Sequence, residues 1–96
     1  MLVIIAYDIN VTDKGGQTRL RHVSKKCVDF GQRVQNSIFE CNIDFGTFVK
    51  LKNDLLKIIV KEKDSVRFYL LGNNWKGRVE HYGIKPSINF EETLII

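Results

Sequence analysis

Residues 2–9, Leu-Val-Ile-Ile-Ala-Tyr-Asp-Ile, are apolar and largely β-branched at nearly every position. Neither face of such a strand suits water, so it is predicted to run through the centre of a sheet, with Asp8 as its one interruption. Asn10 to Gln17 carries Thr12, Asp13, Gly15 and Gly16 around Lys14, the composition of a flexible loop with a glycine hinge. From Thr18 on, Leu20, Val23, Cys27 and Phe30 recur every three or four residues, the spacing of one buried helix face, and Gly31 supplies a stop. A helix is predicted over 17–30. Residues 32–43 alternate Phe39, Cys41 and Ile43 against Ile38, Glu40 and Asn42, which is strand periodicity, and Asn36-Ser37 is placed to pinch the stretch into a tight hairpin.

Between Phe45 and Lys61, Phe48, Leu51, Leu55 and Ile58, with Val49, Leu56 and Ile59 beside them, describe a broad apolar helix stripe whose wet side holds Lys50, Lys57 and Lys61. Asp64 to Leu71 reads as a strand closed by Gly72-Asn73-Asn74. Gly77, Gly83 and Pro86 among short apolar pieces then predict one weak strand near 78–82 and a loose tail.

Strand, helix, paired strands, helix and strand in that order predict an α+β, ferredoxin-like βαββαβ fold: an antiparallel sheet with both helices on one face. The core domain is expected over 1–82, with 83–96 as a C-terminal extension. Helices on one face leave either Leu2, Ile4 and Ala6 or Val3, Ile5 and Tyr7 exposed on the other, and a partner subunit is the simplest cover. Leu94-Ile95-Ile96 is suited to extend another chain's sheet edge, so a homodimer is expected.

Ninety-six residues suffice for one domain with a modest core, and 44% hydrophobic and 27% charged residues are ordinary globular values. The longest uncharged apolar run, Met1 to Tyr7, falls far short of the ~20 residues of a membrane-spanning helix, and no basic residue precedes it as a secretory signal requires. A cytoplasmic protein with no membrane partner is therefore expected. Cys27 and Cys41 have neither metal-site nor disulfide-scaffold spacing and read as small core residues.

Charge changes the picture more. The whole chain carries +4, yet positions 14–33 alone hold Lys14, Arg19, Arg21, Lys25, Lys26 and Arg33 against Asp29. On a helical wheel Arg19 and Lys26 flank one border of the apolar stripe and Arg21 and Lys25 the other. That frame suits nucleic-acid phosphates, contacted without reading sequence, and equally suits a merely solvated helix face. Asp8, a hard oxygen ligand ending an apolar strand, suits Mg²⁺, alone or facing its copy across a dimer axis; the competing reading is a loop cap. His22 and His81 stand outside any Cys or His cluster and receive no catalytic role, Gly15-Gly16 lacks the Gly-Lys-Ser/Thr of a phosphate loop, and Trp75 serves packing or stacking equally well.

Tyr7-Asp8-Ile9, Arg19-Leu20-Arg21-His22-Val23, Gly31 through Cys41, Asp64-Ser65-Val66-Arg67-Phe68-Tyr69, and Asn74-Trp75 with Arg78-Val79-Glu80-His81 together resemble the CRISPR-associated protein 2 family, in order and over nearly the whole chain. The resemblance implies a ferredoxin-like homodimer whose C-terminal strand packs on the partner's sheet. It implies that Asp8 is the catalytic, metal-binding residue, with Mg²⁺ or its substitute Mn²⁺ as cofactor. It carries the family's important arginines onto Arg19, Arg21 and Arg33, and its aromatic onto Phe39, with Tyr7 as the structural neighbour of Asp8. Gln17-Thr18 departs from relatives that carry extra basic residues there.

The function implied is spacer acquisition in antiviral defence, by endonucleolytic cleavage of single-stranded RNA or double-stranded DNA. A bridging role between integrase subunits, the CRISPR-associated protein 1 family, on foreign DNA is implied as well. The alternatives are a purely structural DNA-binding scaffold and a toxin-like ribonuclease of the related virulence-associated protein D group.

Overall fold

The computed structural model describes residues 1–71 and 79–84. Its elements are β1 (Leu2–Asp8), α1 (Gly16–Phe30), β2 (Gln32–Gln35), β3 (Ile38–Asn42), α2 (Phe45–Ile58), β4 (Ser65–Leu71) and β5 (Val79–Gly83). The sheet runs β2-β3-β1-β4-β5 and is antiparallel at every step, so the ferredoxin-like α+β arrangement is present with β1 at its centre. The Asn36-Ser37 hairpin joins β2 to β3 where the sequence places it. The predicted C-terminal strand, Trp75 and residues 85–96 of the expected C-terminal extension lie outside the described residues.

Of the two side-chain sets on β1, Val3, Ile5 and Tyr7 are buried, whereas Leu2, Ile4 and Ala6 are only half-buried on the opposite, open face. Ile5 lies in register with Phe39 and Phe68, and all three are fully buried in one cluster with Val23 and Cys27 of α1 and Phe48, Leu51 and Leu55 of α2. Fully burying each such side chain contributes about 1.5–3 kcal/mol. α2 begins at Asp44, whose carboxylate accepts the Thr47 N–H at 2.7 Å.

Two local expectations need correction. The second helix stops at Ile58 rather than Lys61. Ile59 turns extended with its side chain buried, and the Val60 N–H is taken by the Asp64 carboxylate at 2.9 Å, so a tight turn over residues 60–64 replaces the last helical turn. Nor are Gly15 and Gly16 a hinge. Gly15 has φ +91°, and a Cβ on Gly16 would stand 2.1 Å from the Asn10 carbonyl oxygen, so the loop packs tightly against the start of α1. Gly16→Ala is therefore expected to destabilise the fold by about 1–3 kcal/mol. Thermal melting checks this, at about 4–8 °C per kcal/mol for a domain of this size.

Candidate active site

Because side chains alternate along a strand, Ala6 and Asp8 share the open face of β1. Register fixes their neighbours. Asp8 lies opposite Ser65 of β4, Ala6 lies between Ile38 of β3 and Arg67 of β4, and Arg67 lies opposite His81 of β5. The small Ala6 side chain leaves a hollow at this end of the sheet, a cleft of about 280 Å³ to which Asp8, Ser37, Arg67 and His81 contribute. Asp8 is exposed, and among the described residues its carboxylate has no hydrogen-bond or ion-pair partner. The loop-capping role is filled by other groups. Asn10 Oδ1 accepts from the Thr12 amide and hydroxyl at 3.0 and 2.6 Å, while Asp64 Oδ1 accepts the Asn10 N–H at 3.0 Å.

The basic frame of α1 divides in two. On one border, all three Arg19 guanidinium nitrogens are engaged. Nε donates to Asp64 Oδ2 at 2.8 Å, Nη2 to Asp13 Oδ1 at 3.0 Å and Asp64 Oδ1 at 3.2 Å, and Nη1 to Asp13 Oδ2 at 3.3 Å. Lys63 adds a 2.9 Å contact to Asp13, whose carboxyl is held down at about 2, first by Arg19 and then by Lys63. Burial of Asp64 alone would raise its pKa, but Arg19 and the Val60 and Asn10 amides outweigh that and hold it below the ordinary value. Lys26, on the same border, stands 3.5 Å from Asp54 of α2. Arg19, expected to grip phosphates, thus sits in an internal clasp, and Lys26 faces a carboxylate.

The other border is different. Arg21 and Lys25 are exposed and, among the described residues, have no ion-pair partner. Arg33 on β2 is exposed too, its guanidinium 4.9 Å from the Phe39 ring centroid and donating to the Asn36 carbonyl at 2.8 Å. Phe39 stacks on Tyr7 at 6.2 Å, and the Tyr7 hydroxyl lies 2.7 Å from Ser24 Oγ of α1. Tyr7 and Phe39 therefore form a rigid support, Tyr7 beside Asp8 in the chain and Phe39 beneath Arg33. Burial pushes the Cys27 thiol up to about 12 and raises Cys41 as well, which suits neutral core groups rather than nucleophiles or ligands.

No group of three or more His, Cys, Asp or Glu side chains suited to a metal ion occurs among the described residues. Among the described residues lining the cleft, Asp8 is the one carboxylate. A single hard carboxylate fits Mg²⁺, which keeps most of its waters and takes one or two protein ligands, better than it fits ions that need a closed cage. Asp64, Arg67 and His81 gain importance only here: Asp64 because it closes the loop that follows Asp8, Arg67 and His81 because strand pairing carries them to the Asp8 cleft.

Comparison with known proteins is consistent over the full length. The sequence model of the family described as CRISPR associated protein Cas2 matches residues 1–79. The CRISPR-associated endoribonuclease Cas2 of Nitratidesulfovibrio vulgaris is 53% identical over 96 residues, covering 100% of this chain and 94% of that protein. The CRISPR-associated endonuclease Cas2 of Halalkalibacterium halodurans is 54% identical over 95 residues, 99% of each. A crystal structure of Streptococcus pyogenes Cas2 superposes with a TM-score of 0.70 at 54% identity, covering 86% of this chain and 100% of that one.

Proposed function

Because the chain belongs to the CRISPR-associated Cas2 family, we propose that it is a Mg²⁺-dependent endonuclease of spacer acquisition, hydrolysing phosphodiester bonds at Asp8. The observation that carries this reading is the Asp8 carboxylate itself: exposed, without a partner among the described residues, and at the end of the central strand beside a cleft. The names of its relatives, endoribonuclease in one case and endonuclease in another, support nuclease chemistry.

Asp8 would hold the ion, Mg²⁺ or Mn²⁺, which when bound would acidify water and neutralise charge on the phosphodiester. Arg21, Lys25 and Arg33 bind the nucleic-acid backbone and set its path, and Tyr7 with Phe39 keeps that surface rigid. Water oxygen adds to phosphorus in line with the leaving oxygen; that P–O bond breaks, and the leaving oxygen takes up a proton. Cleavage of single-stranded RNA and of duplex DNA, compared with Mg²⁺ and with a chelator, tests the reading and names the substrate. Absence of metal-dependent cleavage of both overturns it.

A second reading, a DNA-bridging scaffold between integrase subunits, is favoured by the exposed basic border of α1, which has no ion-pair partner among the described residues and would bind phosphates whether or not a bond is cut. Both readings use a homodimer, for which the half-buried Leu2, Ile4 and Ile38 on the open face supply apolar surface. Replacing Arg21 and Lys25 together by Gln is expected to lower the salt slope of duplex binding by about 0.9 per lost phosphate contact and leave folding intact. Fluorescence anisotropy across a salt series measures it.

A further inference from the structure

We infer that Ser24 is a positioning residue of the nucleic-acid surface, fixing the Arg33 guanidinium through the Tyr7 hydroxyl and the Asn36 carbonyl, an assignment that rests on the reading of Arg33 as a phosphate contact. Ser24 belongs to the exposed border of α1, where Arg21, Ser24, Lys25 and Val28 follow at i, i+3, i+4 and i+7. α1 packs against β2 and β3, and on this border the Ser24 Oγ meets the Tyr7 hydroxyl at 2.7 Å. That hydroxyl has one hydrogen and donates it to the Asn36 carbonyl at 3.4 Å, so Ser24 supplies the hydrogen of the 2.7 Å bond. Tyr7 holds the hairpin turn at a second point, because its N–H donates to the Ser37 carbonyl at 3.1 Å. The Asn36 carbonyl also accepts Arg33 Nη1 at 2.8 Å, and the guanidinium carbon stands 4.9 Å from the centroid of Phe39, which is stacked on Tyr7. Serine on α1, tyrosine on β1 and arginine on β2 are thus joined in one chain of contacts.

This support differs in kind from the clasp on Arg19. Carboxylates at 3.0 and 2.8 Å cancel the Arg19 charge while they hold it, whereas Arg33 rests on a carbonyl and a ring, both neutral. Arg33 Nε and Nη2 have no partner among the described residues. Those two nitrogens are the edge with which Arg19 grips both oxygens of Asp64, and a phosphate offers the same paired acceptors. An arginine fixed before its ligand arrives gives up less freedom on binding, which raises affinity.

Arg33 lies opposite Phe39, on the helix side of the sheet, while Arg21 and Lys25 stand on the α1 border beside Ser24, all three exposed. Two cationic walls, one on α1 and one on β2, therefore flank a floor made by Ser24, the Tyr7 hydroxyl and the Asn36 carbonyl. The apolar surface of Leu2, Ile4 and Ile38 is on the opposite face of the sheet, so a homodimer packed there leaves this seam uncovered. The ligand class is the phosphodiester backbone of a nucleic acid, gripped from both walls.

Full-length Ser24→Ala, Tyr7→Phe and Arg33→Gln proteins and their three pairwise combinations test the assignment. Fluorescence anisotropy measures their binding to a short duplex DNA across a salt series, in chelator, so that the outcome does not depend on Asp8. Tyr7→Phe keeps the ring and its stack on Phe39 and removes the hydroxyl alone. Arg33→Gln is expected to lower the salt slope by about 0.9. Ser24→Ala and Tyr7→Phe are each expected to weaken binding about three- to tenfold at a given salt concentration, and to weaken Arg33→Gln no further. Ser24→Ala should likewise add nothing to Tyr7→Phe, since the serine acts through that hydroxyl.

Ser24→Ala with wild-type affinity overturns the positioning role. So does equal weakening with and without Arg33, the mark of a merely structural residue. Failure of the phosphate reading looks different: Arg33→Gln then keeps the wild-type affinity and slope, and the role of Ser24 falls with it.

Discussion

Asp8→Ala is expected to lower metal-dependent cleavage by about 10³-fold or more, since the contribution of a bound cation to such a step is several kcal/mol and each 1.36 kcal/mol is a factor of ten. The same substitution is expected to leave stability within about 0.5 kcal/mol of wild type, because the side chain is exposed and nothing among the described residues depends on it. That pairing of a large kinetic effect with an unchanged melting curve separates a ligand from a structural carboxylate. A rate in Asp8→Ala equal to wild type would sink the enzyme reading. If wild type itself shows no metal-dependent cleavage, spacer acquisition becomes the readout, and a scaffold predicts that it survives Asp8→Ala and fails when Arg21, Lys25 and Arg33 are neutralised together.

The sequence makes visible whatever is decided over one or two turns of chain. An unbroken apolar run put β1 at the centre of the sheet, period two found β3, and Asn36-Ser37 marked the turn between β2 and β3. Asp8 stood out because it breaks such a run. What stayed hidden was decided by partners distant in sequence. Arg19 and Arg21 look alike in a helix, yet they lie about 200° apart around its axis. Only the fold reveals that the Arg19 border meets Asp64, forty-five positions on, while the other border meets water.

The end of α2 follows the same logic. The apolar period continues through Ile58 and Ile59, but the Asp64 carboxylate captures the Val60 N–H and stops the helix. Gly15-Gly16 reads as freedom in composition and is fixed geometry in space, because the obstructing atom is a backbone oxygen of Asn10. His81 could not be connected to Asp8 before β5 was paired with β4.

Asp64→Ala is the substitution expected to damage the fold most. The carboxylate is fully buried and satisfies Arg19, the Asn10 N–H and the Val60 N–H at once, so truncation leaves the largely buried guanidinium with Asp13 as its remaining carboxylate and strands two amides. Breaking such a pair from one side costs about 3–5 kcal/mol, a large share of the 5–15 kcal/mol typical of a domain. Arg19→Ala strands the same carboxylate from the other side, so the double variant should lose clearly less than the sum of the two singles.

The acid response carries a sign. Asp64 and Asp13 titrate below their ordinary range when folded, Asp13 at about 2, so the unfolded chain binds more protons in that window. Their contribution is complete above the unfolded value of about 3.9 and drains away as pH falls through the folded values. Urea midpoints should therefore fall for wild type between pH 5 and about 2, and fall less for Asp64→Asn, which starts lower and has one fewer proton to gain. Equal midpoints for wild type and Asp64→Ala at pH 7 would remove the clasp from the account. Because the loop it closes follows Asp8 directly in the chain, Asp64→Asn should also slow cleavage without altering the salt slope of binding, the mark of a residue that holds the site from behind and never meets the nucleic acid.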